Sequence, residues 1–136
     1  MISKIQYLQA QSTDPFYNLA VEEYLTRHVE KDALILYLWQ NRKTVVIGKN
    51  QNPWKECRIR ELEKEGGKLV RRLSGGGAVF HDLGNLNFTF IASKENYNVP
   101  RQMQVILEAV RAFGIPAELS GRNDLSLQGR KFSRNA

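Results

Sequence analysis

The sequence predicts an α+β fold, a mixed and largely antiparallel sheet packed by about three helices. Two patterns carry that expectation. Short apolar runs of strand length come in neighbouring pairs, and helical segments with clear start and stop signals are interspersed among them. The 136 residues suffice for one small domain with a real core, and the apolar share of 42% and charged share of 25% are those of ordinary globular chains.

Taken in order, residues 3–9 read as a strand. Asp14-Pro15 supplies an N-cap and a first-turn proline, and Phe16, Leu19, Ala20 and Tyr24 recur at helical spacing to about residue 30. Leu34–Trp39 and Thr44–Ile47 are compact apolar runs about the polar turn 40–43, which predicts a hairpin. Asn52-Pro53 opens a second helix that Gly66-Gly67 closes. Strands are expected at 68–73, 78–82 and 86–92, the last with Leu86, Phe88 and Phe90 on one face and Asn87 and Thr89 on the other. The third helix follows Pro100 and ends before Gly114 and Pro116, with Met103, Ile106, Leu107, Val110 and Phe113 as its apolar face. Two short strands, near 117–119 and 124–133, complete the series.

Composition excludes several classes. No apolar run approaches the roughly 18 residues of a membrane span, and the opening Met1-Ile-Ser-Lys has no secretion-signal character. One cysteine permits no intrachain disulfide, so a reducing, cytoplasmic setting is expected. Twenty Lys and Arg against fourteen Asp and Glu give a net charge of +6, but the basic residues are scattered and form no nucleic-acid arm.

The segment richest in chemistry is Arg71-Arg72-Leu73-Ser74-Gly75-Gly76-Gly77-Ala78-Val79-Phe80-His81-Asp82. Three glycines between two strands let the backbone come close to a ligand and turn its amides toward anionic oxygens. Arg72 can pair with a phosphate or carboxylate, and Ser74 can donate to the same group. The dinucleotide fingerprint and the P-loop are both excluded, because the following helix and the Gly-Lys-Ser/Thr ending are missing. A triple glycine can also be a plain flexible turn, His81 can close a turn toward Asp82, Trp39 can be simple core, Asp124 can cap a turn through Asn123, and Lys131 can be a solvated charge. Cys57, among charged neighbours with no histidine beside it, does not read as a nucleophile.

Residues 71–85, Arg-Arg-x-Ser-Gly-Gly-Gly-Ala-Val-Phe-His-Asp-x-Gly-Asn, resemble the signature of the lipoate–protein ligase A family. Asp14–Glu23, Thr44–Gly48, Gln51–Cys57, Gly121–Asp124 and Gly129–Ser133 match in the same order, so the resemblance covers nearly the whole chain. It implies the biotin/lipoate ligase fold and an ATP-dependent reaction: lipoate is activated to lipoyl-adenylate and passed to a lysine of an acceptor lipoyl domain. The acceptors implied are lipoyl domains of 2-oxoacid dehydrogenase complexes or the glycine cleavage H protein. ATP and Mg2+ are the implied cofactors and lipoic acid the substrate.

By matching position, Arg72 and Ser74, Gly75, Gly76 and Gly77 would hold the acyl-phosphate region, and Lys131 would be the family's essential lysine, stabilising charge on the reacting oxygens. Leu19, Val21, Trp39, Val79 and His81 would line the apolar tunnel for the lipoyl chain. Asn85, Asn123, Asp124 and Lys131 would bind nucleotide, with Asp124 as magnesium ligand.

Two departures from the family stand out. Arg134 follows Ser133 where the family has glycine, and family members continue past the point where this sequence stops. The expectation is therefore an incomplete catalytic domain over 1–136. As supplied, it would have little or no ligase turnover and would self-associate through an exposed sheet edge near 117–133. Two other readings remain: a non-catalytic lipoate- or nucleotide-binding fragment, and a lipoyl or octanoyl transferase relative. The transferase would need a cysteine nucleophile beyond the fold's lysine, which this sequence does not contain. Biotin–protein ligases share the architecture but carry an Arg-rich glycine loop unlike Ser74–Gly77.

Overall fold

A computed structural model describes residues 1–135 and divides into two compact units, one ending at Asn96 and one beginning at Tyr97. Four helices and three small three-stranded sheets make a mixed α+β structure in which antiparallel pairings outnumber parallel ones.

In the first unit, β1 (Lys4–Gln9) pairs in parallel with β2 (Ala33–Trp39), which pairs antiparallel with β6 (Asn87–Ala92). Helix α1 (Pro15–His28) begins where Asp14 accepts the Phe16 amide at 2.9 Å, with Pro15 pre-set for the first turn. Strand β2 alternates strictly, burying Ala33, Ile35, Tyr37 and Trp39. Register places Trp39 opposite Asn87, Tyr37 opposite Thr89 and Ile35 opposite Ile91, so these residues share one face. Helix α1 lies on that face, because the Tyr37 hydroxyl donates to the Asn18 carbonyl at 3.3 Å and Thr89 donates to Glu22 at 2.6 Å.

Several sequence expectations change here. The inward residues of α1 include Pro15 and Asn18, both buried, whereas Phe16 and Tyr24 are 58% and 62% exposed. Leu86 is likewise exposed, and the face of β6 turned to α1 carries Asn87 and Thr89.

The hairpin expected at 34–47 does not form. Both edges of β2 are already filled by β1 and β6, and β3 (Thr44–Ile47) instead centres a second sheet between β4 (Lys68–Arg71) and β5 (Val79–His81). The turn between β2 and β3 spends its polar groups on the start of α1. Asn18 Nδ2 donates to the Gln40 carbonyl at 2.9 Å, and the Arg42 amide to the Thr13 carbonyl at 3.0 Å.

The helix expected over 53–65 is two pieces, α2 (Pro53–Glu56) and α3 (Ile59–Lys64), broken where Cys57 is extended. A straight helix would gain little across the break, since Lys55, Glu56 and Arg58 offer no apolar face to bury.

The second unit is simpler. Asn98 caps α4 (Val99–Ala112), which buries Met103 and Leu107 against Ala117 and Leu125. Phe113, expected on that face, is the C-cap residue and is 86% exposed. Strands β7 (Glu118–Ser120), β8 (Asp124–Leu127) and β9 (Arg130–Arg134) form an antiparallel meander with β7 and β9 at its edges. The single strand expected over 124–133 is thus a hairpin. Gln128 and Gly129 both take positive φ (51° and 75°), as a two-residue turn of the primed type requires.

Candidate functional site

Strand β4 delivers Arg71 and Arg72 to its end, and the two side chains fasten two loops. Arg71 Nη1 donates to the carbonyls of Gly48, Lys49 and Gln51 at 2.8–3.1 Å, holding the turn after β3. Arg72 donates to the Gly75 carbonyl from Nη2 (2.7 Å) and Nε (3.2 Å), to the Gly77 carbonyl at 2.8 Å and to the Val46 carbonyl at 3.3 Å. The Lys49 amide takes the Ser74 carbonyl at 2.9 Å.

The loops touch backbone to backbone. A Cβ on Gly48 would sit 2.2 Å from the Gly76 oxygen, and Gly76 itself has φ +94°. The carbonyls of Ser74, Gly75 and Gly77 are thereby turned inward. Among the described residues, the amides of exposed Ser74–Gly77 donate to no protein acceptor. An exposed run of unpaired amides held beside an arginine is suited to an anion.

Behind the loop lies a buried polar wall. Asn18 and Asn41 are fully buried, and His81 is 8% exposed. Asn18 Nδ2 donates to the Ser12 and Gln40 carbonyls and to Asn41 Oδ1 at 3.0, 2.9 and 3.1 Å. Asn41 Nδ2 stands 3.2 Å from His81 Nδ1. The His81 ring meets Trp39 edge-on, with centroids 6.0 Å apart. Trp39 Nε1 donates to Thr89 Oγ1 at 3.1 Å, and Thr89 donates onward to Glu22 Oε1 at 2.6 Å. Burial raises the Glu22 carboxyl above its ordinary value. Burial, with the nearby Arg72 charge, lowers His81. The imidazole is therefore neutral at pH 7.

Of the residues expected to line an acyl tunnel, Trp39 and His81 are brought together. Val79 is half-buried opposite Val46, and Leu19 and Val21 are half-buried on α1. His81 does not close a turn toward Asp82, whose carboxylate instead accepts the Gly84 amide at 2.8 Å. Asn85 donates to Asn87 Oδ1 at 3.0 Å.

In the second unit, Lys131 Nζ lies 2.5 Å from Asp124 Oδ2, and this pairing holds the Asp124 carboxyl below its ordinary value. Arg134 stands opposite Asp124 in register and lowers it further. The Asn123 carbonyl accepts from the Asn135 side chain. No group of three or more His, Cys, Asp or Glu side chains could hold a metal among the described residues. Cys57 is pushed up by burial and by Glu61, the reverse of what a thiolate nucleophile needs.

Sequence reasoning missed Asn18, Asn41, Glu22, Thr89 and the Arg71 clamp. The available signal was the polar pair Asn18 and Glu22, four residues apart and so on one face of the helix.

The fold and this loop define a class, and comparison with known proteins gives its family. The family described as "Lipoyl protein ligase A/B catalytic domain" matches residues 14–136, and the chain belongs to it. A curated lipoate-protein ligase A from Psychrobacter cryohalolentis is 46% identical over 133 residues, 98% of this chain and 39% of that protein.

Among solved structures, P. falciparum LipL1 in complex with lipoate aligns with a TM-score of 0.85 at 33% identity, over 95% of this chain and 42% of that one. A bipartite lipoate protein ligase from Thermoplasma acidophilum, described with its E2 lipoyl domain, gives 0.79 at 28%, over 96% and 53%. A lipoate-protein ligase A bound with ATP gives 0.78 at 28%, over 96% and 59%. The chain thus spans 39–59% of the length of these relatives. No helix among the described residues is long and apolar enough to cross a membrane.

Proposed function

We propose that residues 1–136 are the N-terminal portion of a lipoate–protein ligase catalytic domain, the part that binds lipoate and holds its adenylate. The observation that carries this reading is the Ser74–Gly77 loop. Its carbonyls are drawn onto Arg72 and Lys49 and its amides are left to an anionic ligand. Trp39 and His81 supply a neutral wall behind it. The relatives solved with lipoate and with ATP support the choice of ligands.

In the reaction, a lipoate carboxylate oxygen attacks the α-phosphorus of ATP and pyrophosphate leaves. An acceptor lysine amine then attacks the acyl carbon, AMP departs with the bonding electrons, and the amine loses its proton. The glycine-loop amides orient the acyl-phosphate. Lys131 offsets charge that develops on its oxygens. In the pair described above, the Lys131 ammonium sits on Asp124, and it would leave that pair to act on the ligand's oxygens.

Asn85, Asn123 and Asp124 contact the nucleotide. Mg2+ would be held by the Asp124 carboxylate together with phosphate oxygens, and it would offset the negative charge of those phosphates. The acceptor is a lipoyl domain, as the T. acidophilum ligase and its E2 lipoyl domain suggest, or the glycine cleavage H protein. The compartment is the cytoplasm, where Cys57 stays reduced.

The test is pyrophosphate release from lipoate and ATP·Mg2+, comparing a full-length relative with its variant carrying alanine at the position of Lys131. The variant is expected to lose a hundredfold or more, corresponding to about 2.7–4 kcal/mol of transition-state stabilisation. Near-normal release by the variant contradicts the role of Lys131. Lipoate binding with no release from the unaltered protein favours the non-catalytic binding module instead.

A further inference from the structure

The two histidines of the chain are held in opposite ways. His28 Nδ1 lies 2.7 Å from the Tyr24 carbonyl, which only accepts, so that nitrogen carries the proton. His81 sits at the end of a chain of amides whose orientation is dictated from the far end. The Ser12 and Gln40 carbonyls can only accept, so the Asn18 amide must present its NH2 group to them. The same NH2 faces Asn41 at 3.1 Å, which requires the Asn41 oxygen there and turns the Asn41 NH2 toward His81. A second amide, Asn87 Nδ2, stands 3.5 Å from the same ring nitrogen.

We propose that Asn18 and Asn41 are positioning residues that fix His81 as the Nε2–H tautomer, so the ring offers the acyl ligand a single donor. The ring as a whole is buried, yet Nε2 makes no protein hydrogen bond and is not sealed off, since no buried side-chain nitrogen or oxygen among the described residues lacks a partner. It is thus a ring donor left for a ligand, beside Trp39, whose own indole N–H is already spent on Thr89. Burial and Arg72 keep the ring from taking a second proton, which agrees with this arrangement. The ligand clause rests on the acyl-pocket reading above. The tautomer does not.

The test is nitrogen NMR of the 136-residue chain with 15N-labelled histidine, in which the chain's two histidines give two ring spectra. His81 is expected as Nε2–H and His28 as Nδ1–H. Asn41→Asp keeps the shape but presents only acceptors, so His81 should switch to Nδ1–H or to the imidazolium. Lipoate affinity should then fall about tenfold, the worth of one hydrogen bond. If that variant does not fold, Asn41→Leu removes the selecting donor and should give a mixture of tautomers. His81 found as Nδ1–H in the unaltered chain, or ring signals unmoved in the folded Asn41 variants, overturns the proposal. Lipoate that leaves the His81 signals unshifted overturns the acyl-pocket reading, while the nitrogen spectrum still decides the tautomer.

Discussion

Helices α1 and α4 are both fourteen residues long and both start with an Asx cap and a first-turn proline, yet they bury opposite kinds of side chain. Helix α4 turns Met103 and Leu107 inward, as its periodicity predicts. Helix α1 turns Asn18 and Glu22 toward its sheet and leaves Phe16 and Tyr24 in solvent. Its partner strand repeats the inversion, with Thr89 and Asn87 facing in. The second unit is held by apolar area at this point. The first spends buried positions on a hydrogen-bonded wall. Local rules fail in the region of the candidate site.

Replacing Leu107 by Ala should break the apolar side of this comparison most strongly. At 4% exposed, it should cost about 2–5 kcal/mol in the second unit. Hydrogen exchange of α4 amides measures this, and a loss under about 1 kcal/mol, below that range, would show the cluster is not what holds the helix. In the first unit, Gly48→Ala must displace the Gly76 carbonyl, a backbone atom that cannot rotate away. It should cost about 1–3 kcal/mol, the usual range for overpacking, and open the glycine loop. Denaturant melts together with protease sensitivity at residues 74–77 would report both, and unchanged behaviour would mean that the two loops move freely.

A smaller effect concerns Glu22, whose folded carboxyl is raised by burial. The folded state therefore binds this proton more tightly than the unfolded chain. Its stabilising share is complete below the ordinary carboxylate range and is lost as pH rises through the folded value. Glu22→Gln should remove that dependence, so the mutant gains on the natural chain from about pH 4 upward. Melting curves of both across pH 4–8 decide it, and parallel curves would refute the assignment.

The same contrast explains what was legible in the sequence. The Asp14 cap and Pro15 placed the start of α1, and Pro100 falls in the first turn of α4. The strands at 4–9 and 87–92 lie within the segments expected at 3–9 and 86–92, and the glycines at 75–77 fall between two strands as expected. The pairing of β2 with β1 and β6, rather than with β3, was not legible. It goes with long-range contacts such as that of Asn18 to the Gln40 carbonyl, 22 residues away, which no local pattern encodes. The break at Cys57 and the Gln128-Gly129 turn escaped for a different reason. Neither residue before the turn glycine nor the cysteine is a strong breaker by type. For the candidate site, the resemblance pointed to Arg72, Trp39 and His81. It did not point to Asn41 and Thr89, which orient the last two, because each acts only through a neighbour distant in sequence.

Trp39 gives the most direct test of the central claim, that the wall it forms with His81 faces the lipoyl chain. The protein has two tryptophans, and Trp54 is 77% exposed, so Trp54→Phe isolates the buried indole. Titrating this variant with lipoate and following the Trp39 emission should give a saturable change, while acetate at the same concentration gives none. Emission that stays constant up to saturating lipoate, or that changes equally with acetate, would contradict the account.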